Sequence, residues 1–430
     1  LRAEWSPPPL PINHYPFTIN HLSHALLALL AMPETRSKEP IVRQYDHEVQ
    51  GGTLVKPFTG AANAGPSDAA VLVPLDALRR TVNGERSTVN GETVRGIALA
   101  VGANPFYSAL DPYCMAWAAV DEALRNVVAV GADPDQVSLL DNFSWGNPNL
   151  PDRLGSLVRC VQGCYDAAVA FGAPFISGKD SLNNEYTGAD GQKHAIPGTL
   201  VISALGIVSD VRRSVTMDLK AAGNLIYIVG LTRGELGGLA LERRFGGETH
   251  PHPQPLSLRG RGESEHPHPR PLSLQGRGES GPPLPLGEGM GVRVPPQPPE
   301  NALDSYRALH QAISRGLVQA CHDCSEGGLA VAAAEMALAG GLGLELRLAA
   351  VPRTSDADSD AAIAFCESLG RLLVEVDPSA VGSFEALLAS HPIARIGRVR
   401  ADNRIVIAGL NDQVVVETGL DVAERAWRNE

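Results

Sequence analysis

The stretch Ala173–Tyr186, "APFISGKDSLNNEY", sets a glycine, a cation, a carboxylate and a hydroxyl in a row directly after apolar residues. At the end of a strand, Gly178 lets a backbone approach closely, Lys179 can neutralise a phosphate and Ser181 can donate to one. The same residues also suit an ordinary polar turn. A second polar strand end, "DNFSWGNP", begins at Asp141, and the two ends fit neighbouring edges of a single pocket. Glu122 and Asn126 stand at i and i+4, so they project from one face of a helix whose other faces are apolar. A carboxylate and an amide so placed suit a hard cation held by oxygen, or a helix-surface hydrogen bond. In "CHDCSEGGLAVAAAEMALAG", Asp323 and Ser325 precede two glycines and an Ala-rich helix. Free N–H groups at that helix start form an anion-binding end, where Asp323 can hold magnesium and Ser325 can serve as N-cap. Asp68, just before a strand in "GPSDAAVL", is a weak signal by itself.

Alternating short strands and amphipathic helices must position these residues. The pattern predicts strands over 69–74, 96–101, 136–141, 174–177 and 199–208. Asp111-Pro112 offers an N-cap and a first-turn proline for a helix through about Val130, and a second helix runs from Asp152 to Phe171. A second block opens at "GNLIYIVG", with helices near 302–320 and 326–339 and strands at 344–348, 371–376 and 404–407. The boundaries read as a connector and helix over 1–40, a first domain over 41–213, a second over 222–412 and a tail over 413–430. Two near copies of "HPHPQPLSLRGRGES" and a worn third occupy 247–300. Pro/Gly/Arg-rich repeats bury too little apolar surface to order themselves, and no role is assigned to them.

The chain has 430 residues, enough for two or three domains. Its 36 Lys and Arg against 48 Asp and Glu leave a net charge of −12, which argues against binding duplex nucleic acid. Six cysteines at this length do not make a disulfide framework, and the unequal spacings of Cys160/Cys164 and Cys321/Cys324 favour inert thiols over zinc. No leader or bilayer-spanning run is evident, so the cytoplasm is the expectation and no membrane partner is expected. The start at Leu1 reads as the middle of a longer frame.

In order, "RQYDHEVQGG", "GPSDAAVL", "DEALRNVVAVGADP", "LLDNFSWGNP", "ISGKDSLNNE" and "HDCSEGGLAVAAAEMALAG" resemble the synthetase subunit of phosphoribosylformylglycinamidine synthase, over roughly 41–410 apart from the repeats. The resemblance implies an α+β fold of the aminoimidazole ribonucleotide synthetase (PurM-like) type, with a βα domain that forms half a barrel followed by an α+β domain. It implies a ligase that activates formylglycinamide ribonucleotide with ATP and lets ammonia from glutamine displace phosphate. Only the C-terminal half of the family's synthetase is matched. The family's catalytic histidine and main magnesium ligands lie in the other half, with no counterpart before Arg43.

By motif, Asp141 and Gly178 fall on ATP contacts and Ser181 on a substrate contact. Lys179 stands at a metal or phosphate contact where small-type members carry asparagine; lysine does not ligate a cation, and large-type members share it. Asp68, Glu122, Asn126 and Asp323 match the metal set of an auxiliary ADP–magnesium site, and Ser325 matches its nucleotide contact. The implied partners are the missing N-terminal half, a separate glutaminase subunit and a small bridging subunit. Two alternatives are a non-catalytic half that holds ADP and magnesium, and another ATP-dependent enzyme of the same superfamily, such as a thiamine-phosphate kinase or a selenophosphate synthetase.

Overall fold

A computed structural model describes residues 3, 22–46, 48–74, 81–82, 85–86, 93–245 and 294–430. The repeat region through residue 293 and most of the first 21 residues lie outside it. The first domain is a six-stranded sheet of β1 (Thr53–Val55), β2 (Ala70–Leu72), β3 (Gly96–Gly102), β4 (Val137–Ser144), β5 (Phe175–Ser181) and β6 (Thr199–Val208), in the order β1-β2-β3-β6-β4-β5. Neighbours are antiparallel except β4 and β5, which are parallel.

One face of this sheet carries α2 (Pro112–Ala129) and α3 (Pro151–Phe171), following α1 (Leu22–Leu30). The Asp111 side chain caps α2 through the Tyr113 N–H at 2.9 Å, with Pro112 at the first helical position as expected. The same carboxylate accepts two bonds of 2.6 Å from Arg159, which fixes α3 against α2. Gly102 is needed where β3 meets α2, because a Cβ there would lie 2.1 Å from the Ala119 carbonyl oxygen.

The second domain is a seven-stranded sheet of β7 (Leu225–Val229), β8 (Ala320–Asp323), β9 (Gly343–Arg347), β10 (Leu372–Val376), β11 (Ile393–Arg400), β12 (Arg404–Ala408) and β13 (Val414–Gly419). Its order is β8-β10-β7-β11-β9-β12-β13. Its helices are α4 (Ala240–Phe245), α5 (Ala302–Ser314), α6 (Gly328–Gly340), α7 (Asp360–Phe365), α8 (Val381–Leu388) and α9 (Leu420–Arg428). One core joins α2 and α3 to Tyr227, Val374, Tyr306 and Phe384 of the second domain, so the two domains share buried surface. A second core lies on the opposite side and gathers α1, α6 and α9.

Two boundaries differ from the sequence reading. The expected tail, 413–430, is an integral strand and helix: β13 pairs with β12, and Trp427 and Ala423 are buried in the second core. The helix assigned to the connector also packs there, through Ala25, Leu26, Leu29 and Leu30, and the Trp427 indole donates to the Thr35 carbonyl at 3.0 Å. Apolar surface on both segments decides this, because α1 and α9 cover each other's buried faces.

Candidate functional site: an oxygen cage between the domains

A cavity of about 400 Å3 lies between the domains, lined by Asp68, Glu122, Asn126, His322, Asp323, Ser325, Glu326 and Glu335 among others. Four elements supply them. Asp68 precedes β2, Glu122 and Asn126 project from α2, Asp323 ends β8, and Glu335 comes from α6. The one-turn spacing puts Glu122 and Asn126 on one face of α2, and that face, with Asp68, Asp323 and Ser325, lines the cavity.

Each candidate ligand has one atom tied to the protein. Asp68 Oδ1 accepts from His322 Nδ1 at 2.9 Å and from the Asp323 N–H at 3.0 Å. Glu122 Oε2 accepts from the Ala103 N–H at 2.9 Å, and Asn126 Nδ2 donates to the Val101 carbonyl at 3.2 Å. Asp323 Oδ2 accepts from Arg125 and from the Ser325 hydroxyl. The other oxygens of two of these groups, Asp68 Oδ2 and Asn126 Oδ1, are buried and find no hydrogen-bond partner among the described residues. Buried polar atoms are nearly always paired, so two orphaned oxygens aimed at one polar cavity fit a hard divalent cation. Among the described residues, Asp68, His322 and Asp323 also bring one ligating atom each to within 4.8 Å of one another.

The electrostatics concentrate negative charge here. Burial, reinforced by Glu326 and Asp323, holds the Glu122 carboxyl well above its usual range. Burial and Glu367 push Glu326 up to about 7. Burial alone would lower the His322 imidazole, but Asp68 and Glu335 outweigh it and raise it well above its ordinary value. A cation would relieve this crowding of carboxylates.

The start of α6 differs from its expected role as an open anion site. Its Gly327 N–H donates to Glu367 Oε1 at 2.8 Å, and the Gly328 N–H donates to the Ser325 carbonyl at 2.9 Å. The protein's own Glu367 carboxylate thus occupies the positive helix end, completed by the Ala240 N–H at 2.9 Å and the Tyr107 hydroxyl. Ser325 does not cap the helix but orients Asp323.

The two polar strand ends are parallel neighbours and share one pocket, as expected, but only through alternate residues. β5 continues to Ser181, and Asp141 pairs with Gly178, Asn142 with Lys179 and Ser144 with Ser181. Successive strand residues alternate between faces, so Asp141 and Gly178 face α3 while Lys179 and Ser181 face the opposite side. Asp141, Gly178 and Asp180 line a separate cavity of about 850 Å3, walled by Leu157, Val161, Tyr165 and Phe175. A Cβ on Gly178 would lie 2.0 Å from Asp141 Oδ1, so any larger residue there displaces the Asp141 carboxylate. Burial, with Asp180 adding to it, raises the Asp141 carboxyl. Lys179 donates to the Ser181 hydroxyl on an exposed surface.

Sequence reasoning missed Arg125, His322 and Glu335, which hold the cage in shape. His322 stood beside Asp323 in a quoted motif, but its partners Asp68 and Glu335 are 254 and 13 residues away. All six cysteines are free and buried, in keeping with inert thiols.

Comparison with known proteins accounts for both domains. Residues 67–208 match the AIR synthase related protein, N-terminal domain, and residues 221–409 match the AIR synthase related protein, C-terminal domain. The chain is 34% identical over 413 residues to the phosphoribosylformylglycinamidine synthase subunit PurL of Deinococcus radiodurans, covering 94% of this chain and 46% of that protein. The PurL subunit of Methanocaldococcus jannaschii is 33% identical, over 95% of this chain and 46% of its own length. In fold, the chain resembles T. maritima PurL complexed with FGAR, with a TM-score of 0.60, 17% identity, and coverage of 93% of this chain and 53% of the other. The chain spans about half the length of the curated relatives it matches. It belongs to the AIR synthase related family, carrying the N- and C-terminal domains in tandem, and its likeness to curated proteins is to PurL subunits.

Proposed function

We propose that this chain is one half of an ATP-dependent ligase that converts formylglycinamide ribonucleotide, with ammonia derived from glutamine, into the corresponding amidine in purine biosynthesis. One observation carries the reading. The residues that match a nucleotide–metal site in the family, Asp68, Glu122, Asn126, Asp323 and Ser325, come from both domains and line a single cavity. Likeness to PurL subunits of 31–34% identity over nearly the whole chain supports the assignment, as do T. maritima PurL structures complexed with ATP, ADP and AMPPCP.

In this reading Asp68, Asn126, Asp323 and Glu122 hold magnesium. When bound, the ion neutralises a polyphosphate and so lets it enter an acidic cavity. The protein supplies fixed oxygens that need no rearrangement as the ion arrives. The motif match gives Asp141 and Gly178 an ATP contact and Ser181 a substrate contact, but the two fall on opposite faces of the sheet, so these residues do not share one reaction centre within this chain. The cytoplasm suits such an enzyme; among the described residues no helix is long and apolar enough to cross a membrane.

The sheet face turned away from α2 and α3 leaves Leu99 41% and Val101 52% exposed, which supports its burial against the family's other half. A glutaminase subunit and a small bridging subunit complete the proposed assembly, in line with a structure of PurLQS from Thermotoga maritima. The test is turnover with ammonium, ATP and formylglycinamide ribonucleotide. The isolated 430 residues should bind ADP with magnesium and make no amidine, and a co-expressed N-terminal half should restore product. Amidine formation by the chain alone would refute the half-site reading.

The buried position of the cage between domains favours one second reading, a bound nucleotide that cements the fold without turning over. Binding that survives Asp141→Ala but disappears with Asp68→Ala plus Glu122→Ala would support it.

A further inference from the structure

Arg125 lies in the seam between the domains, with its side chain 2% exposed. On one side its guanidinium pairs with Asp121, one turn earlier on α2. Asp121 is itself fixed by the second domain: it accepts from the Gly370 N–H at 2.9 Å and from the Tyr306 hydroxyl. On the other side, Arg125 Nε and Nη2 donate to Asp323 Oδ2 at 3.4 and 3.1 Å, and Nη2 also donates to Ser325 Oγ at 3.1 Å. The Ser325 hydroxyl donates a hydrogen bond to the same Asp323 oxygen. Asp323 Oδ2 therefore has all the donors it can use, and the carboxylate is held in one orientation. Its Oδ1 remains on the His322 side, 3.9 Å from the imidazole Nδ1 that anchors Asp68.

We propose that Arg125 is the positioning residue of the cation cage, holding Asp323 from the second domain in register with Glu122 and Asn126, its neighbours on α2. The proposal rests on reading the cage as a divalent-cation site. Three arguments favour it. First, the shape is that of an arginine: a planar fork reaches Asp121 with one arm and Asp323 with the other, which a lysine ammonium at the same depth does not reproduce. Second, a buried Asp–Arg–Asp cluster is a poor source of stability compared with packed apolar side chains, so its energetic return is orientation. Third, a positive charge beside a cation site opposes ion binding by Coulomb repulsion. That charge is useful there only if fixing Asp323 matters more. The consequence is coupling: the ion's affinity depends on the domains being docked, because the ligand from the second domain is oriented by a side chain of the first.

The test is Mn2+ affinity of the full chain, read by electron paramagnetic resonance, alongside melting temperature without ion. Arg125→Lys keeps the charge, so a change in affinity reports geometry. Loss of an outer ligand partner weakens metal sites about 10- to 100-fold, and that is the expected loss. Tyr227→Phe removes a hydroxyl that donates to Glu385 at 2.6 Å and serves as a stability control; its affinity should stay within about twofold of wild type, the scatter of a small context effect. Asp323→Asn should also weaken binding, and adding Arg125→Lys to it should cost nothing more, because Arg125 acts through Asp323. The proposal is overturned if Arg125→Lys binds as wild type does, if Tyr227→Phe weakens binding equally, or if the Arg125 and Asp323 losses multiply. Wild-type protein that binds no Mn2+, or binding that survives Asp68→Asn with Asn126→Ala, defeats the cage reading and the proposal with it.

Discussion

Asn126→Ala should have effects of opposite sign with and without ligand. The side chain donates one bond of 3.2 Å to Val101 and buries an oxygen that has no partner among the described residues. Losing the bond costs about 1 kcal/mol, whereas removing a buried unsatisfied acceptor returns about 1–3 kcal/mol. The space left opens into the existing cavity of about 400 Å3, so no sealed void adds to the cost. Without ion and nucleotide, the variant should be as stable as wild type or more stable by up to about 2 kcal/mol. At a ligand concentration of 100 times Kd, wild type gains about 2.7 kcal/mol. A variant weakened about 10- to 100-fold gains only about 1.4 to 0.4 kcal/mol at the same concentration. Each kcal/mol moves Tm by roughly 2–4 °C in a domain of this size. Calorimetric melts with EDTA, and with ADP plus magnesium, should therefore cross: variant at or above wild type in the first, below it in the second. A variant that melts lower by the same margin in both buffers would show Asn126 to be an ordinary structural amide and refute the reasoning.

Gly178→Ala should push the Asp141 carboxylate aside, because its Cβ would meet Oδ1 at 2.0 Å, at a stability cost within about 1 kcal/mol; a variant structure with Asp141 unmoved would contradict the strand register. Glu326 has its carboxyl raised from 4.5 to about 7, so its contribution is fully present below pH 4.5 and is lost as pH rises through 7. At 1.36 kcal/mol per pH unit the loss is roughly 3 kcal/mol, and Glu326→Gln should flatten that part of the stability–pH curve in EDTA. An identical slope in the variant would count against it. Leu54→Asp, on the uncovered sheet face at a β1 side chain that is 49% exposed and alternates with buried Val55, should leave the isolated chain's stability within about 0.5 kcal/mol of wild type. The same change should abolish pairing with a co-expressed N-terminal half, read by size-exclusion chromatography; intact pairing would rule that face out as the contact.

Local chemistry was legible in the sequence where a few adjacent residues decide the structure. Asp111-Pro112 opens α2, and the Glu122/Asn126 spacing sets which face they share. The facing of Lys179 was not legible, because the strand was expected to stop at 177 and instead continues to Ser181. Parallel pairing with β4 carries it on through glycine and charge. The Arg125–Asp323 and His322–Asp68 contacts join residues 198 and 254 positions apart, and no local pattern encodes them. Glu367 at the start of α6 was invisible for the same reason: it arrives from 40 residues downstream to fill a site the helix sequence alone leaves open.

The central claim is that oxygens from both domains hold one divalent cation. Anomalous diffraction from crystals grown with Mn2+ and ADP tests it most directly. The account predicts a peak in contact with Asp68 Oδ2 and Asn126 Oδ1, with Asp323 completing the set from the second domain. Crystals whose manganese peaks lie only elsewhere, for example beside Asp141 and Asp180, would contradict it.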